Sequence, residues 1–334
     1  MMKRIGSILL VGLIFMVVLS GCGQKSQEDV MSSIDKKLNE LESYRVNAQM
    51  TLETGEEPQK YDVEIWYKKP SFYRVKLKNA NQEQNQIILR NDEGVFVLTP
   101  ALNKSFRFQS DWPENGSQAY LYNTLASDIL NDSDAGFEAK ENDYVFDTKA
   151  NYQNKNLARQ EITLKKKDLA PKQVKILNQD MKVLVTVDFS KMEFNPKFDK
   201  DAFDMERNMT AAQLEVPVIA ANSAPLEVLY PMYEPQGTGL SEQKEVSDGK
   251  VVLSYTGEKS FTLIEEKSET AMETSAPVQV SAGEPVDLGF AVGVMTDNTI
   301  TWSHNGVDYF LASNDLSKEE MASVARSVYG TTVK

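Results

Sequence analysis

The stretch Tyr61-Asp62-Val63-Glu64-Ile65-Trp66-Tyr67-Lys68-Lys69-Pro70-Ser71-Phe72-Tyr73-Arg74-Val75-Lys76-Leu77-Lys78 decides the fold. Tyr61, Val63, Ile65 and Tyr67 fall on one side, with Asp62, Glu64, Trp66 and Lys68 on the other. After the turn signal Lys69-Pro70-Ser71, Tyr73, Val75 and Leu77 face one way and Arg74, Lys76 and Lys78 the other. Period two on both sides of a Pro-containing turn is the mark of antiparallel strands with one covered face.

The same alternation runs from Arg45 to Phe108, punctuated by Asn91-Asp92-Glu93-Gly94, with Val95, Val97 and Phe106 extending the apolar face. Before it, Val30, Ile34, Leu38 and Leu41 recur at helical steps from Glu28. A second helix is expected from about Ser117 to Leu130, with Leu121, Leu125 and Ile129 on one face. Strands resume near Tyr144-Val145-Phe146. Ala158–Lys167 should pair with Gln173–Asn178, and Lys182–Phe194 should form a long strand carrying Val183, Val185, Val187 and Phe189 on one face. Strands in chain order with short turns make a meander.

Regular periodicity stops over residues 206 to 225, read as a linker. Beyond it, strands are expected at Lys250–Ser254, Phe261–Glu265, Val278–Ser281 and Thr299–Trp302. Asn305-Gly306 between alternating runs signals a hairpin leading into Val307, Tyr309 and Leu311. Ser317 followed by Glu320 is a capping box opening a last helix whose stripe is Met321, Val324, Ala325 and Val328.

Composition narrows the function. A chain of 334 residues is long enough for two domains. One cysteine and one histidine exclude an intrachain disulfide, a multi-cysteine metal site and a His-pair zinc site. A net charge of -13 argues against a nucleic-acid partner. At the start, Lys3-Arg4, the apolar run Ile5 to Leu19 and small residues before Cys22 form a secretory signal too short for a comfortable membrane span. Leu19-Ser20-Gly21-Cys22 resembles the lipobox of bacterial lipoproteins. That resemblance implies cleavage after Gly21 and a diacylglyceryl thioether on Cys22, whose two chains would anchor the protein stably to a membrane.

Several strings also resemble the lipoprotein-carrier family (LolA and LolB) over roughly residues 28 to 207. They are Val63 to Arg74, Gln86-Ile87-Ile88-Leu89, Asp92-Glu93-Gly94-Val95-Phe96-Val97-Leu98-Thr99-Pro100, and Met192-Glu193-Phe194-Asn195-Pro196 with Phe203. The remainder, through Trp302, Asn305-Gly306, Tyr309, Leu311 and the Ser317-capped helix, resembles a small domain of unknown function on lipoproteins of spore-forming Gram-positive bacteria. The joined architecture is similar to the YdcC-like sporulation lipoproteins.

The resemblance implies a mainly β (α+β) fold: an open, incomplete antiparallel β-barrel with helices over its mouth, followed by a smaller α+β domain. The expected divisions are a signal peptide over 1–21, a lipidated tether over 22–27, a half-barrel over 28–207, a linker over 208–225 and the second domain over 226–331. The carrier's hollow binds acyl chains, which makes Tyr61, Val63, Ile65, Tyr67, Tyr73, Val75, Val95, Val97, Leu121, Leu125, Val183 and Val185 lipid-pocket candidates. Read from alternation alone, the same face is a solid core packed against the two helices; with the resemblance added, it serves equally as the wall of an acyl pocket. Lys69 falls where the carrier has a lid-contacting Arg, and Lys cannot reproduce that fork of donors. That departure argues against a carrier-style open-and-close cycle. A soluble shuttle cannot be tied to one membrane, so with a lipid on Cys22 an anchored acceptor or static lipid-binding subunit suits the chain better.

No catalytic, cofactor or metal constellation is read. His304 is expected as an exposed turn residue. Asp199, Asp201 and Asp204, like Glu56-Glu57, are expected on a solvated surface. Lys165-Lys166-Lys167 is expected at a solvated strand end, the alternative being a contact with lipid headgroups. The expectation is a non-enzymatic lipoprotein on the extracytoplasmic face of the cell membrane, binding a lipid, an acylated molecule or an envelope protein in sporulation or germination. The alternative is a protein-interaction scaffold with a solid barrel core and no small ligand.

Overall fold

The computed structural model describes residues 25–53, 58–79, 85–113, 118–149, 151–152, 157, 159–215, 226–247, 249–268, 278–280 and 283–328. The expected signal peptide, Cys22 and Glu56-Glu57 lie outside these residues.

Helix α1 (Gln27–Glu40) opens with a capping box between Ser26 and Asp29 and buries Val30 and Ile34. Strands β1 (Ser43–Leu52), β2 (Gln59–Lys68), β3 (Phe72–Asn79), β4 (Asn85–Asn91), β5 (Gly94–Thr99) and β6 (Lys104–Phe108) follow as an antiparallel meander. Helix α2 (Tyr122–Asn131) then precedes β7 (Gly136–Ala139), β8 (Asp143–Lys149), β9 (Arg159–Lys165), β10 (Pro171–Leu177) and β11 (Val183–Phe194). The β9–β10 pairing is the one expected from the sequence. β11 returns to pair with β1, from Tyr44 opposite Phe194 to Leu52 opposite Val185, and so joins the two meanders into one sheet.

Val278–Val280 (β15) adds to the free side of β6, in parallel, making a twelve-stranded sheet that runs from β15 to β7. Among the described residues these two edge strands do not pair, so the barrel stays open. Its concave face packs on α1 and α2.

The convex face departs from expectation. Residues 208–215, read as linker, belong to helix α3 (Met205–Glu215), and residues 216–225 lie outside the described part. Met209 and Ala212 of α3 pack with Ile87, Leu89, Phe96 and Leu98, which face outward from β4 and β5. Arg74, expected to face solvent, is buried there, donating to Asn208 of α3 (2.6 Å) and Glu64 (2.6 Å). The apolar runs of β4 and β5 require cover on both faces. α3, itself polar for most of its length, supplies the outer cover with few apolar residues.

The second sheet is β12 (Thr238–Ser247), β13 (Lys250–Gly257), β14 (Phe261–Lys267), β16 (Glu284–Asp287), β17 (Val292–Met295), β18 (Thr299–His304) and β19 (Val307–Ala312), ordered β12-β13-β14-β19-β18-β17-β16. Asn305 and Gly306 both take positive φ in the tight β18–β19 turn, which is what a two-residue hairpin of this type requires. Helix α4 (Lys318–Arg326) carries the expected Ser317–Glu320 capping box and buries Met321, Val324 and Ala325. Buried side chains of both sheets form one continuous core. Among the described residues, no helix is long and apolar enough to cross a membrane.

Candidate functional site

Ten of the lipid-pocket candidates lie in the concave core: Tyr61, Val63, Ile65, Tyr67, Tyr73, Val75, Val95, Val97, Leu121 and Leu125. The alternation of β2 and β3 therefore points as the sequence implies. Ile65, Val75, Val95 and Leu121 are 0% exposed, so a water molecule has no room against them. Tyr44 fills the space between strand and helix, with its ring 5.2 Å from Tyr67 and 6.1 Å from Tyr122. Val183 and Val185, on β11, are only half-buried.

Lys69 reaches the C-terminal end of α1. Its ammonium donates to the Asn39 carbonyl (3.3 Å) and pairs with Glu42 (3.4 Å). That places it against the helix over the opening, where a cation also suits the negative end of the helix dipole.

The seam between the two sheets is built differently. The Gln86 side-chain amide, buried on β4, donates to the Val292 carbonyl (3.0 Å) and accepts from the Val292 N–H (2.7 Å). Lys104 of β6 pairs with Asp308 of β19, which also accepts from the Ser303 hydroxyl. Beside these contacts is a partly open cavity of about 400 Å³, lined by Val97, Phe106, Val292, Val294, Thr301 and Phe310 among others. Of the twelve candidates, Val97 alone is among its lining residues. A volume in this range, apolar walls and a few convergent polar groups are the usual attributes of a small-molecule site.

Glu265 lies behind the seam, fully buried on β14 opposite Tyr309. One carboxylate oxygen accepts from the Leu229 N–H (3.0 Å), while the other has no hydrogen-bond partner among the described residues. Burial pushes this carboxyl up to about 7, against the smaller opposing effect of the Leu229 bond. Alternation through Phe261, Leu263 and Glu265 already puts an acid on a covered face, and this signal could have identified it. Gln86, on the same face as buried Ile88, carried a similar signal: a polar group on a covered face needs a partner.

His304 is not the exposed turn residue expected. It ends β18 with its ring 4.7 Å from Phe290, and burial pushes its imidazole down to about 4. The acidic cluster is paired: Arg207 bridges Asp199 and Asp201, while Asp204 accepts from the Arg207 N–H at the start of α3.

Fold and seam together define a class: an open antiparallel half-barrel closed over helices and joined to a smaller sheet across a cavity-bearing interface. The chain belongs to the YdcC-like sporulation protein family, whose description, "Sporulation protein YdcC-like", matches residues 2–203. It is 54% identical over 331 residues to "Sporulation protein YdcC" of Bacillus subtilis (strain 168), covering 98% of this chain and 97% of that protein. Similar solved structures include the MucA/MucB complex of Pseudomonas aeruginosa, at 15% identity and TM-score 0.32, covering 90% of this chain and 100% of that one. Another is a putative outer membrane lipoprotein-sorting protein domain from Vibrio parahaemolyticus, at 10% identity and TM-score 0.34, covering 55% of this chain and 100% of that one.

Proposed function

We propose that this sporulation-family protein is a non-enzymatic binding protein on the extracytoplasmic face of the cell membrane, held there by lipid on Cys22. Its ligand, a lipid or acylated molecule, enters the cavity between the two sheets rather than the interior of the half-barrel. The observation that carries this reading is the contrast in space: about 400 Å³ at the seam against 0% exposure of Ile65, Val75 and Leu121 inside the barrel. The rim pair Lys104–Asp308 would hold a polar head while Val294 and Phe106 meet the apolar part.

The test is binding of a fluorescent fatty acid to the full chain. Val294→Trp and Thr301→Trp, which fill the cavity, should weaken binding roughly tenfold or more, a loss of about 1.4 kcal/mol. Their melting temperatures should change little. If wild type binds no acyl probe, the cavity is not a lipid site. A second reading then stands on the close-packed interior: a scaffold with a solid core that offers its surface to an envelope protein. The anchor is tested separately. Cys22→Ala should shift the protein out of the membrane fraction of sporulating cells, and retention at the wild-type level would remove the anchor from the proposal.

A further inference from the structure

An acidic chain with a net charge of -13 gathers lysines in one place. Between α1 and the turn joining β9 to β10 lies a shallow cleft of about 290 Å³. Lys25, Lys36 and Lys37 rim it from α1 and its lead-in, and Lys166 and Lys167 from the turn, against only Glu40 and Asp168. The cleft therefore carries a local excess of three positive charges on a protein of opposite sign.

Its lysines are held by different means. The Lys37 ammonium sits 3.6 Å from the centre of the Phe194 ring, and the Lys166 ammonium 5.3 Å from that of Tyr144. Lys25 donates to the Ser33 hydroxyl (3.4 Å). Lys36 makes a loose pair with Glu40 (3.8 Å) on an exposed helix face, a contact of little strength. Partial burial lowers the Lys37 pKa, only partly opposed by Asp168, so this cation gains from an anion brought close to it.

Position supplies the occupant. Lys25 is three residues beyond Cys22. Three residues span at most roughly 11 Å. A chain tethered at Cys22 thus holds Lys25, at the edge of the cleft, within about that distance of the lipid surface, and the other four lysines share its rim. We infer that the lysine cleft between α1 and the β9–β10 turn binds the phosphate groups of anionic membrane lipid, orienting the tethered protein on the bilayer. The inference rests on the anchor reading above. Phosphate is the chemistry recognised, and the bilayer, not solution, is its source.

The experiment is lysine footprinting of the full chain on phosphatidylcholine vesicles with and without phosphatidylglycerol. A brief amine acylation is read by mass spectrometry. Lys36, Lys37, Lys166 and Lys167 should be protected roughly fivefold on the anionic vesicles, since each lysine near such a surface gains about that factor. Lys60 and Lys244, exposed on other strands, serve as controls and should not change. High salt should remove the protection. In Lys36→Gln/Lys37→Gln, the remaining cleft lysines should lose most of it.

Equal reactivity of the cleft on both vesicles overturns the inference. Protection by inorganic phosphate on phosphatidylcholine alone, matching that on anionic vesicles, places the anion in solution and also overturns it. Failure of the anchor shows elsewhere, as equal flotation of wild type and Cys22→Ala on phosphatidylcholine vesicles. Cleft protection confined to anionic vesicles would still support the headgroup contact in that case.

Discussion

The interior of the half-barrel and the seam between the sheets are both lined by β-strands, yet they solve different problems. In the interior, alternating apolar residues from β2, β3 and β5 meet α1 and α2, and the Tyr44 ring lies 5.2 Å from Tyr67 and 6.1 Å from Tyr122. At the seam, the lining residues of the cavity come from strands of the two sheets. Contact is made by the Gln86 amide, the Lys104–Asp308 pair and a scatter of Val and Phe side chains. Twisted surfaces that meet through polar points leave space. A packed face confers stability, whereas a partly filled one can admit a ligand.

The largest expected effect lies in the interior. Leu125→Ala on α2 removes a side chain that is 1% exposed while keeping a residue well suited to a helix. It should cost about 2–5 kcal/mol of unfolding free energy, measured by urea denaturation. A loss well under 1 kcal/mol would mean that the interior relaxes readily, and the contrast with the seam would disappear.

Next comes Glu265, which ties the segment at Leu229 to the second sheet. Its folded pKa of about 7 lies above the ordinary 4.5, so the folded state holds this proton more tightly than the unfolded chain. Wild type should therefore lose stability as pH rises from about 4.5 to about 7, and then level off. Glu265→Gln keeps the shape without the charge. Relative to wild type it should gain about 2–4 kcal/mol at pH 8, shrinking toward zero below pH 4.5, as thermal unfolding across pH would record. A difference that does not change with pH would show that the carboxylate is solvated in the folded protein.

The smallest effect is expected at the seam. Gln86→Ala leaves the Val292 N–H and C=O without their side-chain partner, at a cost of about 1–3 kcal/mol. Hydrogen exchange should rise at Val292 and its neighbours on β17 before it rises on β2. Uniform exchange across both sheets would show that the seam and the interior open as one unit.

Much of this architecture is written locally. Period two in Tyr61–Tyr67 and Tyr73–Leu77 specified which side chains enter the core, and the burial of those residues agrees. Asn305-Gly306 and the Ser317–Glu320 box specified a turn and a helix start, because each depends on residues at most three apart. α3 was hidden by its own polarity: a helix that covers a sheet with Met209 and Ala212 shows almost no apolar stripe. The hint lay instead in β4 and β5, whose consecutive apolar residues needed a second cover.

Sequence by itself determined the strand faces and the capped helices, since each is a matter of near neighbours. Tertiary structure decided where the space and the charge lie. The Gln86–Val292 contact spans 206 positions, β15 joins the edge of a sheet begun far earlier, and the lysine cleft combines α1 with a turn more than a hundred residues later. Hydrophobic alternation records that a face is covered but not what covers it or how completely. Only the packing of distant elements buries Ile65, Val75 and Leu121 and leaves a cavity at the seam.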